Sequence, residues 1–326
     1  MYAFEYANPA TLQEAIGLLG EKWTDANILA GGTDLISIMK ERLQHPARVV
    51  NIKNIKELGG ISKTAAGLRI GATVTLDELL SNALVRAECR TLLDAARGVT
   101  SPQIRNMGTV GGDLCQRPRC WYYRNHLGFL GLTTDNKSRI VDGQNEFHAI
   151  FNNSGPAKFV SASSFGPALV SLGAMITIAG PKGTRKVEAA KFFTIPKARG
   201  EVEKDLAPNE IVTEVVIPST RGAKSSTYEI RQKEALDWPL ATASVLLAMK
   251  GSTVDKAQVV LGHVSPIPYA ASDAASWLSG KSITEETATQ AGEAAVKGAT
   301  PLSGNAYKVQ LAKVAVKRAL LAAVKA

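Results

Sequence analysis

From position 11, apolar residues recur at three- and four-residue spacing: Leu12, Ala15, Ile16 and Leu19 fall on one helical face. Thr11, three residues ahead of Glu14, supplies a capping box at the start of that helix. The pattern then shortens to the run Ile28-Leu29-Ala30, which predicts a strand. A Gly-Gly turn follows, and then a second helical stretch carrying Leu35, Ile38 and Met39. Pro46 stops that helix, and Val49-Val50-Asn51-Ile52 reads as the next strand. These elements predict a compact α/β unit over residues 1–55.

The pattern resumes at Leu68, with Thr75 and Glu78 as another capping box, in a second unit assigned to residues 56–221. Residues 121–158 keep no period and predict a long irregular stretch. Ala174–Ala179 reads as a strand, and the turn Gly180-Pro-Lys-Gly183 predicts a hairpin. The strand Ile211–Ile217 closes at Pro218, and the small polar run 219–226 predicts a linker. A third unit, residues 222–326, carries apolar strands at 242–249 and 257–263 and helices at about 270–279, 284–297 and 306–325. On the last helix Leu311, Val314, Ala315, Ala319 and Ala322 form an apolar stripe that predicts simple packing. There is no internal repeat and no low-complexity tract.

Composition narrows the classes. The 326 residues are 45% apolar and 21% charged, ordinary values for a soluble globular protein. No apolar run reaches the roughly eighteen residues of a membrane helix, and the N-terminus Met1-Tyr-Ala-Phe-Glu-Tyr predicts no secretion signal of its own. Three cysteines do not make a disulfide framework. The net charge of +9 comes from scattered basic residues, and with 6% aromatics there is no stacking platform, so nucleic acid is not an expected partner. A solvated or partner-facing basic surface accounts for the charge.

Two stretches carry candidate chemistry. In Leu29, Ala30, Gly31, Gly32, Thr33, Asp34 and Leu35, adjacent glycines between a strand and a helix let backbone N–H groups approach a phosphate, and Thr33 adds a hydroxyl. The spacing fits neither the Rossmann fingerprint nor a P-loop. Residues Ser101–Leu114 offer a second pair, Gly111 and Gly112, beside Thr109 and Asp113. Two such turns could grip one diphosphate from both sides, with Asp113 accepting from a sugar hydroxyl. Read singly, each is also a common tight turn. The four histidines show no metal spacing, and there is no Gly-x-Ser-x-Gly nucleophile.

Several longer stretches carry a family likeness: Ala30–Leu35, Arg105–Leu114, Pro167–Ala174, Asn209–Pro218, Tyr228–Asp237 and Val259–Val264. Together, in order, they resemble the FAD-binding middle subunit of the molybdenum hydroxylases, the family of xanthine dehydrogenases, carbon monoxide dehydrogenase and bacterial aldehyde oxidoreductases. The stretch Cys115-Gln-Arg-Pro-Arg-Cys-Trp-Tyr-Tyr-Arg124 resembles the aldehyde oxidoreductase branch. The resemblance implies an α+β chain: a two-part FAD-binding domain, then a C-terminal domain with a small antiparallel sheet and helices. It implies FAD held by Leu29–Leu35 and by Thr109, Gly111, Gly112, Asp113 and Leu114. It also implies Ser164 and Ile211 near the flavin ring, with the third unit flanking it. Glu229 stands about where NAD-reducing relatives place a flavin-contacting lysine, which sets a nicotinamide acceptor in question. The implied partners are a molybdopterin-binding large subunit, a small subunit with two-iron–two-sulfur clusters, and an external electron acceptor. The implied compartment is the cytoplasm, or the periplasm by co-export.

Some relatives hold a four-iron–four-sulfur cluster after the second glycine motif. Here Cys120 matches one ligand and Cys115 is a neighbour, but no cysteine follows up to residue 158 and Ala157 falls where a last ligand would stand. Such a cluster takes four thiolates, so the expectation is a similar segment without the cluster. Its arginines, Arg117, Arg119 and Arg124, are then expected to face cofactor phosphates or a partner. Trp121-Tyr122-Tyr123 reads as packing rather than as a screen over the flavin. The implied activity is electron transfer through FAD to an outside acceptor, with no acid or base on the organic substrate. A stand-alone flavin oxidoreductase and an FAD-less scaffold are the alternatives.

Overall fold

The structure, a computed structural model, describes residues 1–99, 101–232 and 237–325. Of the stretch Tyr228–Asp237, positions 233–236 lie outside the described residues. Three sheets follow one another along the chain. The first is parallel, with β1 (Glu5–Ala7), β2 (Ala26–Leu29) and β3 (Arg48–Asn51) in the order β1-β3-β2. Helices Leu12–Leu18 and Leu35–Lys40 connect the strands, and Thr11 and Glu14 make the expected capping box. The three-residue β1 was not legible: Glu5 and Tyr6 are exposed, so it lacks the apolar run that marked β2.

The second sheet is antiparallel, built from β4 (Ile61–Thr64), β5 (Gly67–Gly71), β6 (Met175–Gly180), β7 (Gly183–Glu188) and β8 (Ile211–Ile217) in the order β4-β5-β8-β6-β7. The β6–β7 hairpin turns where Gly180 and Gly183 place it. Helices between residues 76 and 115, with Phe165–Ser171, bury one face of this sheet in the largest apolar cluster, which includes Leu68, Ile70, Leu92, Phe165 and Val215. A smaller cluster joins the first sheet to it, with Val50, Ile52 and Ile55 against Ala179 and Ile211.

The third sheet, β9 (Lys224–Ile230), β10 (Ala241–Lys250), β11 (Thr253–Gly262) and β12 (Tyr269–Ala270), is antiparallel in the order β12-β11-β10-β9 and is covered by helices Ser272–Leu278, Glu285–Ala295 and Tyr307–Val324. Two expectations are corrected here. Residues 224–226 belong to β9, not to a linker, because Ser226 and Thr227 turn their hydroxyls inward and Thr227 pairs with Ser244 on β10 at 2.8 Å. On the last helix the buried face is Lys308, Ala312, Ala315, Val316, Ala319, Leu320 and Ala323; Leu311, Val314 and Ala322 flank it.

Residues 121–158 are irregular apart from the turn Trp121–Arg124 and form their own small cluster, with Cys120, Tyr123, Ile140 and Phe159 inside. Residues 147–153 then cross into the third unit. Ile150 and Phe151 both donate to the Val264 carbonyl, at 2.9 and 3.1 Å, and the Phe151 ring stacks on Tyr269 at 4.1 Å.

Candidate functional site

Where the first sheet meets the second, the chain leaves a two-lobed cleft. β2 ends at Leu29, so Ala30 to Asp34 are released from the ladder before the next helix begins at Leu35. Two features fix this loop. Gly32 has φ of +72°, and Gly31 lies against the 107–108 backbone so closely that a Cβ would overlap the Met107 carbonyl oxygen. The two glycine-containing segments therefore touch. Among the described residues, the backbone N–H groups of Gly31, Gly32, Thr33, Asp34 and Leu35 donate to no protein acceptor, and all five residues line the inner lobe. A run of successive free N–H groups at a helix start is an anion-binding concavity.

The second turn works differently. Val110 N donates to the Val74 carbonyl at 2.9 Å, Gly111 N to the Ala72 carbonyl at 2.8 Å, and Gly112 N to Thr109 Oγ1 at 3.1 Å. These groups are already used, so the pair does not supply N–H donors to a phosphate as the sequence suggested. Gly111 serves packing, since its Cβ would stand 2.9 Å from that of Ala72. Gly112 leaves open the floor between the lobes: it lines both, together with Thr33, Asp34, Thr109 and Gln116.

Inward of this waist, a lobe of about 200 Å³ is walled by Trp23, Asn27, Ile28, Leu206 and Ile211, with Glu203 and Lys204 at its side. Outward, a lobe of about 410 Å³ is walled by Leu76, Gly98, Ser101, Ile104, Ser164 and Trp238, a size within the roughly 300–1,000 Å³ of ligand sites. Ser164 and Ile211, both expected at the flavin ring, thus lie in different lobes. Ile211 starts β8 and faces the first sheet, whereas Ser164 precedes the helix Phe165–Ser171 and faces the third unit. Leu29 and Leu114 line neither lobe: Leu29 packs beneath Gly32, and Leu114 is fully buried in the main core.

The acidic residues of the two turns face inward. Asp34 accepts from Arg117 N at 2.7 Å and from Arg124 Nη2 at 3.0 Å, and it pairs with Arg119. Burial opposes its charge, but Arg119, the Arg117 N–H and Arg124 outweigh it and hold the carboxyl below the usual carboxylate range. Asp113, expected to accept from a sugar hydroxyl, takes Ser163 Oγ at 2.5 Å and Phe165 N at 3.0 Å on one oxygen and Gln116 Nε2 at 3.0 Å on the other. Burial pushes its pKa up against these donors. It caps the start of the helix behind the outer lobe.

The arginines expected to face phosphates or a partner are paired with carboxylates, and two of them also line the cleft, Arg117 the inner lobe and Arg119 the outer. Arg119 and Arg124 pair with Asp34, while Arg117 Nε stands 3.3 Å from Glu203 and its guanidinium lies over Phe129 at 4.7 Å. Cys120 Sγ lies 3.3 Å from His148 Nε2 inside the 121–158 cluster, and Cys115 lines the inner lobe. Among the described residues no group of three or more His, Cys, Asp or Glu side chains could hold a metal ion. The Trp121, Tyr122 and Tyr123 rings meet Phe147, His148 and Phe129 and line neither lobe. Glu203, Lys204 and Trp238 line the cleft though no sequence pattern marked them, and Ser101 and Gln116 lie within marked stretches that gave them no role.

Residues 2–220 match the family described as the FAD binding domain in molybdopterin dehydrogenase, and residues 226–323 match the CO dehydrogenase flavoprotein C-terminal domain. This chain is a member of that flavoprotein family. The carbon monoxide dehydrogenase medium chain of Hydrogenophaga pseudoflava is 31% identical over 98% of this chain and 96% of its own. The aldehyde oxidoreductase FAD-binding subunit of Escherichia coli (strain K12) is 28% identical over 96% of each. Among solved structures, carbon monoxide dehydrogenase from H. pseudoflava and quinoline 2-oxidoreductase from Pseudomonas putida 86 each superpose with a TM-score of 0.78 over 99% of this chain and 98% of theirs, at 28% identity. The family match gives the cleft its ligand class. No helix of the described residues is long and apolar enough to cross a membrane.

Proposed function

We propose that FAD lies along the cleft with its diphosphate at the waist, against Gly31–Leu35 and over Gly112. The flavin ring occupies the outer lobe, beside Ser164 and Trp238, and the adenosine occupies the inner one, beside Ile211. The observation that carries this is the row of five free N–H groups facing a glycine floor. When bound, FAD accepts and returns electrons, and the protein's part is to seat it, exclude water and set the charge around it. Thr33 and Thr109 border the waist, Asp34 fixes the 116–124 segment through its arginine contacts, and Asp113 fixes the helix that carries Ser164's neighbours.

In this reading the chain is the electron-transfer subunit of a heteromeric molybdenum-containing oxidoreductase of the aldehyde or aromatic class. A molybdopterin-binding large subunit oxidises the substrate, a small subunit relays electrons through two-iron–two-sulfur clusters, and an external acceptor takes them from FAD. Residues 1–55 and 56–221 act as the two halves of the FAD-binding domain and residues 222–326 as the flanking unit. In this reading the segment after the second glycine motif carries no four-iron–four-sulfur cluster, which takes four thiolates, because Cys115 and Cys120 are its only cysteines up to residue 158. The complex works in the cytoplasm, or in the periplasm after export with a partner.

The test is flavin content. The chain purified with added FAD should show flavin absorbance near one FAD per chain and no iron. Gly112→Leu, whose side chain enters the waist with only Thr109 Oγ1 near its Cβ, should fold and lose FAD binding at least tenfold. A chain that stays colourless with excess FAD overturns the reading.

A further inference from the structure

The outer lobe has a feature that its glycine turns do not explain. Directly behind its wall lies a buried carboxyl, Glu229, whose side chain is only 5% exposed. Ser164, which lines the lobe, donates its hydroxyl to Glu229 Oε1 at 2.9 Å. The other oxygen pairs with Arg231. Gly98 also lines the lobe, and a Cβ there would overlap Glu229 Oε2. Among the described residues, Gly98 and Ser164 thus line the lobe and touch this acid.

We propose that Glu229 is the proton-holding group of the outer lobe, taking up one proton through Ser164 as electrons arrive there from a reduced iron–sulfur centre and returning it on reoxidation. The inference rests on the placement of the flavin ring given above. The step balances. Electrons add negative charge to the lobe. The Ser164 hydroxyl proton passes to the Glu229 carboxylate, and Ser164 regains a proton from the lobe, so one solvent proton offsets one added charge. Burial raises the Glu229 pKa to about 7, with Arg231 and Ser164 pulling it down and Asp113 adding to the rise. A group balanced near neutrality responds to a new charge beside it, because that charge raises its pKa further. The elements packed on β9 carry other charges. Asp94, with Arg90 and Arg97 beside it, lies on the helix Arg90–Gly98 and accepts from Thr227 N. Lys317 and Arg318 on the last helix meet Glu285 and Tyr228, and Lys224 on β9 itself donates to the Val324 carbonyl. His263, just beyond β11, is buried with its pKa pushed down to about 3. None of these touches the Ser164–Glu229 contact.

The experiment uses the FAD-loaded chain, reduced with dithionite in weakly buffered solution while a pH indicator counts protons. At about pH 8, where Glu229 with its pKa of about 7 starts largely ionised, the wild type should take up close to one more proton per flavin than Glu229→Gln. Ser164→Ala, which keeps the acid but removes its link to the lobe, should slow that uptake. Equal uptake in wild type and Glu229→Gln overturns the proposal, and uptake as fast in Ser164→Ala overturns the route. If Glu229→Gln does not fold, the reduced-minus-oxidised infrared spectrum of the wild type decides: a protonated-carboxyl band gained on reduction supports the assignment, and its absence sinks it. A chain that shows no flavin absorbance after incubation with FAD fails at the earlier reading, and this proposal falls with it.

Discussion

At the residue scale, the clearest energetic commitment is Lys308. Its Nζ is buried among three backbone carbonyls, of Phe147 at 3.2 Å, His148 at 3.3 Å and His263 at 2.7 Å. Burial pushes its pKa down to about 7, yet three carbonyl acceptors match the three protons of an ammonium. Lys308→Met keeps much of the volume and strands those carbonyls, which costs on the order of 3 kcal/mol in all. A melting temperature lowered by several degrees, with flavin binding retained by the folded fraction, is the expected outcome. An unchanged melting temperature would show that water replaces the ammonium without loss. This lysine was invisible in the sequence, where it stood among Tyr307, Val309 and Gln310 as one more basic residue on an amphipathic helix. Glu203 and Lys204 were hidden for the same reason: adjacent opposite charges read as surface, and only the fold buries them.

At the element scale, periodicity was read well wherever one face is apolar and the other wet. The helices starting at Leu12 and Leu76 and the β6–β7 hairpin all stand within a residue or two of their expected places. It failed where neither period was available. β9 runs Lys224-Ser-Ser-Thr-Tyr-Glu-Ile230, three hydroxyl residues in a row with no apolar alternation to mark it. Both glycine motifs border the cleft, but their chemistry divides in a way that spacing cannot reveal. One turn offers its N–H groups, and the other has spent them on Ala72, Val74 and Thr109. The last helix shows how small residues mislead: its alanines fit either face, and the choice is made by helix Glu285–Ala295, where Gly292 lies against the Lys313 carbonyl. Ala319→Leu, a substitution a polar-apolar pattern would allow, should overpack this contact and cost about 1–3 kcal/mol in urea unfolding. A neutral result would mean the helices can separate freely.

At the scale of the whole molecule, the second and third units are joined by titratable groups. His148 and His263 are both buried, and burial, aided by the charge of Lys308, pushes their pKa values down to about 4 and about 3. Both titrate near 6.5 when unfolded, so the unfolded chain binds more protons between about pH 6.5 and 4. The loss these two histidines cause is absent above about pH 6.5 and grows as acid is added, by up to roughly 3 kcal/mol for His148 and roughly 5 kcal/mol for His263. His263→Asn, suited to the positive φ of 61° at that position, should lose less stability than the wild type between pH 7 and pH 4.5. Parallel losses would place the acid sensitivity elsewhere.

The crossing of residues 147–153 into the third unit also sets an order of events during synthesis. Ile150 and Phe151 leave the ribosome more than a hundred residues before Val264 and Tyr269, the groups that receive them. At about 5–20 residues per second, that interval is on the order of ten seconds. Through it the first two units can form their sheets, while residues 147–153 have no partner yet in the third unit. The outer lobe is finished late as well: Asp237, Trp238 and Pro239 line it from the third unit, whereas the free N–H run at 31–35 is among the first parts of the chain to be made.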